Sequence, residues 1–224
     1  MDHPRETIVD SLSDMPQELT ADMKAALKRQ ESRLVSEFQA NKLEAEAKKF
    51  WNKFYKRNEC RFFKDRNWTG REFGELITED TKHKILLEIG CGVGNFLYPL
   101  LKSGFQGFAL ACDLSSKAIE LVKAMRIMML TVSTLSLLIV LKPGGIVYLR
   151  DYGLHDMTQL RFQPVIRYLS YFFSTEELAD LFSKTGFQIL TNSYVNRRTV
   201  NLKENIDVPR IFVQAKVCKP DSCT

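Results

Sequence analysis

Apolar positions recur at helical spacing through the first quarter of the chain. Met23, Leu27, Leu34, Phe38 and Leu43 stand in a stretch rich in Ala, Glu, Lys and Leu, which predicts helix over Thr20 to Lys49. Phe50, Trp51, Phe54 and Tyr55 carry the same periodicity onward. The pattern then changes. Ile85 to Ile89 is a short apolar run that ends in glycines and predicts a strand, followed by a helix over Asn95 to Lys102 and a second strand closing at Asp113. Ser115 to Lys123 reads as a helix with Ser115 as its N-cap. Ile127 to Leu141 is apolar and uncharged, but a membrane span needs about 20 residues and Arg126 and Lys142 close this run at both ends. Its β-branched part, Thr131 to Val140, suits a buried strand in the fourth place of a parallel sheet, beside the first strand. Ile146 to Arg150 predicts a further strand, and Ser174 with Glu177 a capping box for a helix through Thr185. Gln188 to Asn196 and Arg210 to Val217 alternate as an antiparallel pair.

This succession predicts a doubly wound α/β domain over residues 74–217. Before it stands a helical extension over residues 20–73, with residues 1–19 and 218–224 as tails, the first of them disordered. A chain of 224 residues with 45% hydrophobic content can bury one substantial core, which excludes a two-domain dehydrogenase. Residues 1 to 23 are acidic and lack an apolar run, so neither a signal peptide nor a mitochondrial presequence is expected. Five cysteines without a C-x-x-C pair favour a reduced cytoplasmic or nuclear setting. His3, His83 and His155 make no metal spacing.

The glycines after the first strand bring chemistry into the picture. Gly90, Gly92 and Gly94 allow a sharp turn at positive φ and let a ligand approach the backbone. Asp113 follows Gly94 by nineteen residues, near the offset at which a second-strand acid accepts hydrogen bonds from ribose hydroxyls. A dinucleotide loop has the form G-x-G-x-x-G, whereas here the third glycine comes one residue early and Asn95 takes its place. The G-x-G-x-G loop after an acid-ended strand (Glu88) is similar to that of class I methyltransferases, which bind S-adenosylmethionine.

Net charge is +5, and its distribution is uneven. Residues 1 to 47 carry six Lys or Arg against ten acids, while residues 48 to 73 carry nine against three, so the excess is concentrated in one short segment. That segment, KKFWNKFYKRNECRFFKDRNWTGREF, sets eight aromatics among the charges. Basic groups gain affinity for phosphates by releasing counterions, and aromatic faces stack unpaired bases. Lys56, Arg57, Arg61, Phe62, Phe63, Lys64, Arg66 and Trp68 are therefore candidate contacts to single-stranded or looped RNA. Helical spacing at Phe50, Trp51, Phe54 and Tyr55 assigns about half of the aromatics to packing instead.

The string FYKRN, FFKDRNW and REF, followed by LLEIGCGVGN, LKPGG, RDYG and SYFF, resembles the methyltransferase-like enzymes that make N3-methylcytidine in the anticodon loop of tRNA. FYKRN looks most like the branch acting on serine tRNAs, often with seryl-tRNA synthetase. The resemblance implies a class I (Rossmann-like) fold with a closing antiparallel strand and S-adenosylmethionine as cofactor. It also implies cofactor contacts at Trp51, Tyr55, Gly90 and Asp113, with tRNA as substrate and no metal. Cytosine N3 carries a free lone pair at neutral pH, so placement and electrostatics must supply the rate. A carboxylate would stabilise the cationic product base, and Asp65 and Asp151 are the candidates. Asp151 has a turn-capping role in RDYG as its alternative, and Asp65 an ion pair with Lys64 or Arg66.

The chain departs from the family in its middle. Only twenty-nine residues separate Asp113 from Lys142, and one βαβ unit already takes about 30, so the region of strands three and four, at about residues 124–141, is shortened. The family's acid after the third strand has no counterpart, and the stretch LRFQPVIRYLSYFF is short as well. An internal deletion explains both. Three functions are thus in play: a tRNA cytidine-N3 methyltransferase, a catalytically deficient form that binds RNA or a synthetase, and a nicotinamide-dependent oxidoreductase, which Asn95 disfavours.

Overall fold

The structure, a computed structural model, describes residues 11–13, 18–31, 36–78, 81–122, 128–131, 141–161, 171–201 and 206–221. Two compact units divide the chain: Ala45–Leu135, and a second made of Met1–Glu44 with Ser136–Thr224. Ala45 to Phe73, assigned above to a separate extension, therefore belongs to the same unit as the glycine loop.

In chain order the described helices and strands begin with β1 (Ser11–Ser13), α1 (Ala21–Glu31), α2 (Glu37–Ala45), α3 (Ala47–Asn58), α4 (Thr69–Glu72), β2 (Ile85–Ile89), α5 (Leu97–Lys102) and β3 (Phe108–Asp113). They continue with α6 (Ser116–Val122), β4 (Met128–Thr131), β5 (Ile146–Tyr152), α7 (Met157–Arg161), α8 (Thr175–Lys184), β6 (Gln188–Asn201) and β7 (Ile206–Cys218).

The first unit holds a parallel sheet in the order β2-β3-β4, with Ile89 opposite Cys112 and Asp113 opposite Thr131. Ala111 is fully buried and small, so Leu97 of α5 and Ile119 of α6 pack with it and Cys91 in one cluster. A second cluster joins Tyr55 of α3 to Val93, Ala118 and Val122, with Trp51, Phe54, Phe63, Tyr98 and Leu121 around it. The extension helix is thereby part of the core of this unit. Ser115 caps α6 as expected, its Oγ accepting from Ala118 N–H at 3.1 Å.

One expectation about the shortened middle is corrected. Thr131, expected to open a fourth strand beside the first, instead ends Met128–Thr131, which pairs with β3 in the place of a third strand; the rest of that expected strand lies outside the described residues. A right-handed crossover through α6 needs only a dozen or so residues, and it delivers the chain to the open edge of β3, on the side away from β2. Residues 132–140 lie outside the described residues, as do residues 162–170 of the second short stretch.

The second unit holds an antiparallel sheet in the order β1-β6-β7-β5. Ser11–Ser13, expected to be disordered, pairs with β6 at Asn196, Val195 and Tyr194. One face of the sheet carries Tyr194, Ile211, Val213, Ala215 and Val217, packed against Leu178 and Phe182 of α8. Ser174 Oγ accepts from Glu177 N–H at 3.1 Å, one half of the expected capping box. The Glu177 carboxylate does not complete the box but accepts from the Tyr171 hydroxyl. Both strands of the β6–β7 pair run longer than their alternation suggested, with a register shift between Ile189 and Thr191.

Asp156, fully buried, ties the turn after β5 to β7. Its carboxylate accepts from Arg210 Nε at 3.0 Å, Ile211 N–H at 2.7 Å and Thr158 N–H at 2.9 Å. The guanidinium of Arg210 lies 5.5 Å from the Tyr152 ring centroid and 5.3 Å from that of Phe212. Removing one partner of a buried pair leaves the other charge unpaired, so Asp156→Ala should lower unfolding free energy by about 3–5 kcal/mol. Urea denaturation measures this, and a loss below about 1 kcal/mol, the range of exposed pairs, would show that the pair is not a clamp.

Candidate active site

The glycine loop is held in shape by β3. Gly90 N–H and Cys91 N–H both donate to Cys112 carbonyl oxygen, at 2.8 and 3.0 Å. Gly90, Gly92 and Gly94 have φ of +73°, +55° and +84°, values that a side chain would strain. At Gly92 there is also no room, since a Cβ there would stand 2.6 Å from the Tyr55 hydroxyl oxygen. At Gly90 a Cβ would meet nothing within 4 Å, so the backbone here lies open to a ligand.

Asp113 faces this loop. Its Oδ2 accepts from Gly92 N–H at 2.8 Å and its Oδ1 from Ser115 N–H at 2.7 Å. Each carboxylate oxygen has a second lone-pair site, so the group can still accept hydroxyls from a ribose. Tyr55 comes from α3 and is 4% exposed, with Trp51 stacked on it at 6.0 Å between centroids. Tyr55, Gly92 and Asp113, three residues of the resemblance and its loop, thus meet in one corner, with Gly90 and Trp51 adjoining.

Two asparagines that sequence reasoning did not assign hold that corner together. Asn52 Oδ1 accepts from Ser115 Oγ at 2.7 Å, Ser116 Oγ at 3.4 Å and Lys117 N–H at 3.1 Å, fixing α3 to the start of α6. Asn95 Nδ2 donates to Phe63 carbonyl oxygen at 3.3 Å and to Asp65 Oδ1 at 3.1 Å. The only sequence signal for Asn95 was its place where a dinucleotide loop has glycine; Asn52 had none.

Burial shapes the acid–base character of the corner. Glu88 at the end of β2 is pushed up to about 8, first by burial and then by Asp113, with Arg66 pulling the other way. Its Oε2 is buried without a hydrogen-bond partner. Burial, then Asp113, Cys91 and Glu88, raise the Tyr55 hydroxyl, and burial raises the Cys91 and Cys112 thiols. Neither cysteine is therefore a thiolate nucleophile at neutral pH. Asp113 beside an open glycine backbone suits a ligand that carries a ribose.

The candidate RNA contacts separate into two groups. Lys56, Arg57, Arg61, Lys64 and Arg66 are exposed, Arg61 with Glu59 at 3.4 Å, and Phe62 is 58% exposed. Phe63 and Trp68 are half-buried, Phe63 against Phe54 and Phe62 and Trp68 edge-on to Phe73. More of the eight aromatics serve packing than the half expected, since Phe62 alone of them is exposed and Tyr55 and Phe73 are buried. Asp65 is exposed, and its Oδ1 accepts from Asn95 Nδ2. Asp151 belongs to the second unit, where it is exposed in β5 and its Oδ1 accepts from Tyr152 N–H within the strand. Among the described residues no group of His, Cys, Asp and Glu could hold a metal ion, and no helix is long and apolar enough to cross a membrane.

No family model matches the chain. Individual relatives do. It is 41% identical to the human tRNA N(3)-cytidine methyltransferase METTL6 over 258 aligned positions, covering 90% of each chain. The chain belongs to the tRNA N(3)-cytidine methyltransferases. It is also 34% identical to the tRNA N(3)-methylcytidine methyltransferase trm141 of Schizosaccharomyces pombe, covering 80% of this chain and 95% of that one, and 31% identical to METTL2 of Danio rerio over 77% and 74%. The human alignment is longer than the 224-residue chain, so it carries gaps within this member of the family, as an internal deletion requires.

Solved structures agree on the fold. A SAM-dependent methyltransferase from Anabaena variabilis superimposes with a TM-score of 0.56 at 14% identity, over 77% of this chain and 93% of that one. A methyltransferase solved with the Haloferax volcanii Trm112 activator gives 0.59 at 13%, over 76% and 98%. The fold is that of class I methyltransferases.

Two outcomes test the corner. Gly92→Ala should destabilise the protein, and adding Tyr55→Phe should recover the steric part, leaving about 1–2 kcal/mol of backbone strain; equal stability of the single and double variants in denaturant titration would contradict the contact. Glu88 holds its proton in the fold above the pH at which an unfolded glutamate, at about 4.3, ionises. The stability it contributes is complete below that pH and is lost as pH rises through about 8. Melting temperature should accordingly fall as pH rises from about 4.3 to about 8 and level off above that, with a smaller fall in Glu88→Gln.

Proposed function

We propose that the chain transfers a methyl group from S-adenosylmethionine to N3 of a cytidine in the anticodon loop of tRNA, with serine tRNAs as its substrates. One observation carries the reading: a chain 41% identical to a tRNA N(3)-cytidine methyltransferase over 90% of its length brings Gly92, Tyr55 and Asp113 into hydrogen-bonding and contact distance around an open glycine backbone.

S-adenosylmethionine supplies an electrophilic methyl on a sulfonium. The residues present fit its methionine and ribose ends. Asp113 offers free lone pairs to the ribose hydroxyls, and the open backbone at Gly90 lets a ligand approach the loop closely. No strong general base is called for, because cytosine N3 already carries its lone pair. The chain's work is to unstack the base, exclude water and hold N3 in line with the methyl. Phe62 and the exposed basic groups from Lys56 to Arg66 suit a looped RNA backbone with unpaired bases.

A second reading, a catalytically deficient member that binds RNA or a synthetase, is favoured by the shortened middle. Val132 to Leu141, which follow the third strand, contain no acid to meet the adenosine. Methyl transfer to a serine tRNA transcript decides between the two. The enzyme methylates it, with and without added seryl-tRNA synthetase, and fails on a transcript whose anticodon-loop cytidines are uridines. Asp113→Ala should abolish S-adenosylmethionine binding in calorimetric titration while tRNA still binds. Absence of both transfer and cofactor binding in the wild-type chain would establish the deficient form.

A further inference from the structure

The residues Arg61 to Trp68 form neither helix nor strand, so their conformation depends on what they are bonded to. Asn95 supplies three of those bonds. Its Nδ2 donates to Phe63 carbonyl oxygen at 3.3 Å and to Asp65 Oδ1 at 3.1 Å, and its own carbonyl accepts Arg66 N–H at 2.6 Å. On its other side Asn95 follows Gly94, two residues beyond the Gly92 amide that is bonded to Asp113. One side chain therefore stands between the backbone that meets the cofactor and the strip that carries Phe62, Lys64 and Arg66.

We propose that Asn95 is a positioning residue that couples cofactor binding to RNA binding, holding the Phe63–Arg66 strip in its RNA-competent shape when the glycine loop is occupied. The inference rests on the proposed function, since it takes the loop as the cofactor site and the strip as an RNA contact. A ligand on the loop narrows the positions that Gly94 and Asn95 can adopt, and through the three bonds it narrows those of the strip. Less ordering is then left for RNA to impose. By linkage RNA must strengthen cofactor binding by the same factor. The geometry also explains why asparagine replaces the third glycine of a dinucleotide loop here: a glycine could offer its carbonyl to Arg66, but it could not reach Phe63 or Asp65.

The aromatic cluster of Phe54, Tyr55 and Phe63 offers a rival route between the same two sites, so the test removes the Asn95 donor alone. Asn95→Asp keeps the shape and the backbone carbonyl but cannot donate; because it also sets a negative charge beside Asp65, the uncharged Asn95→Ser is measured with it and must lose the coupling equally. Fluorescence anisotropy of a labelled serine tRNA transcript is measured on the full chain with and without saturating S-adenosylhomocysteine. In the wild type the ligand should tighten tRNA binding at least about fivefold, and in Asn95→Asp the ratio should fall to within about twofold of one. Whatever the variant does to either affinity alone, it is the ratio of tRNA affinities with and without the ligand that should approach one, a change that general destabilisation would not produce. In the wild type only, the ligand should also slow amide hydrogen exchange at Phe63 to Arg66. If circular dichroism shows that Asn95→Asp does not fold, Asn95→Ser, whose hydroxyl is too short to reach the strip, carries the test by itself. A wild-type ratio of one with both ligands bound overturns the coupling and leaves the proposed function standing. Full coupling retained in the variant assigns the route to the aromatic cluster and overturns the role of Asn95. A wild type that binds neither ligand overturns the proposed function and the coupling together.

Discussion

A single backbone amide organises the cofactor unit. Gly92 N–H donates to Asp113, and the same residue lies so close to the Tyr55 hydroxyl that a Cβ could not be placed there. The bond joins the turn after β2 to the end of β3, and the close approach brings α3 onto both. Positive φ at three glycines makes the turn possible, and the two carbonyl-directed bonds from Gly90 and Cys91 to Cys112 keep it in place. If this amide moved, the ribose acid, the loop and the aromatic wall would lose their common reference.

Charge is sorted by depth in this unit. The acids Glu88 and Asp113 are gathered at the loop, where burial raises the cost of ionising Glu88. The bases stand outside, on the last turn of α3 and on the strip that follows it. Such sorting leaves the basic surface free for an anionic polymer and keeps Asp113 at the loop, where it can accept from ribose hydroxyls. The loop and the strip are joined by a polar side chain without charge, Asn95, which can bond to backbone without taking a side in the electrostatics.

The shortened middle is accommodated by strand substitution. Met128–Thr131 takes the outer edge of β3, and among the described residues the parallel sheet of the first unit has three strands. The closing antiparallel pair of β6 and β7 forms its own core against α8 and is clamped by Asp156 to the turn after β5. Among the described residues each unit thus buries its own apolar face.

The loop, its acid, the capping serines and the antiparallel pair were legible in the sequence because each depends on near neighbours. A glycine at positive φ, an N-cap three residues from its amide and an alternating strand are local facts with local physics. Tyr55 and Asp113 were legible for a different reason, their match to a family pattern. What remained hidden depends on residues far apart in the chain. Asn52 caps a helix that begins more than sixty residues later, and Asn95 bonds to a strip about thirty residues earlier. The place of β4 depends on which sheet edge a short crossover can reach, and the depth of Glu88 on what packs over it. Periodicity and spacing carry no record of such pairings. The sequence by itself therefore determined the class of fold, the cofactor loop and the basic strip. Only the tertiary structure decided how strip and loop are joined, because that junction consists of hydrogen bonds between segments that meet only when the chain is folded.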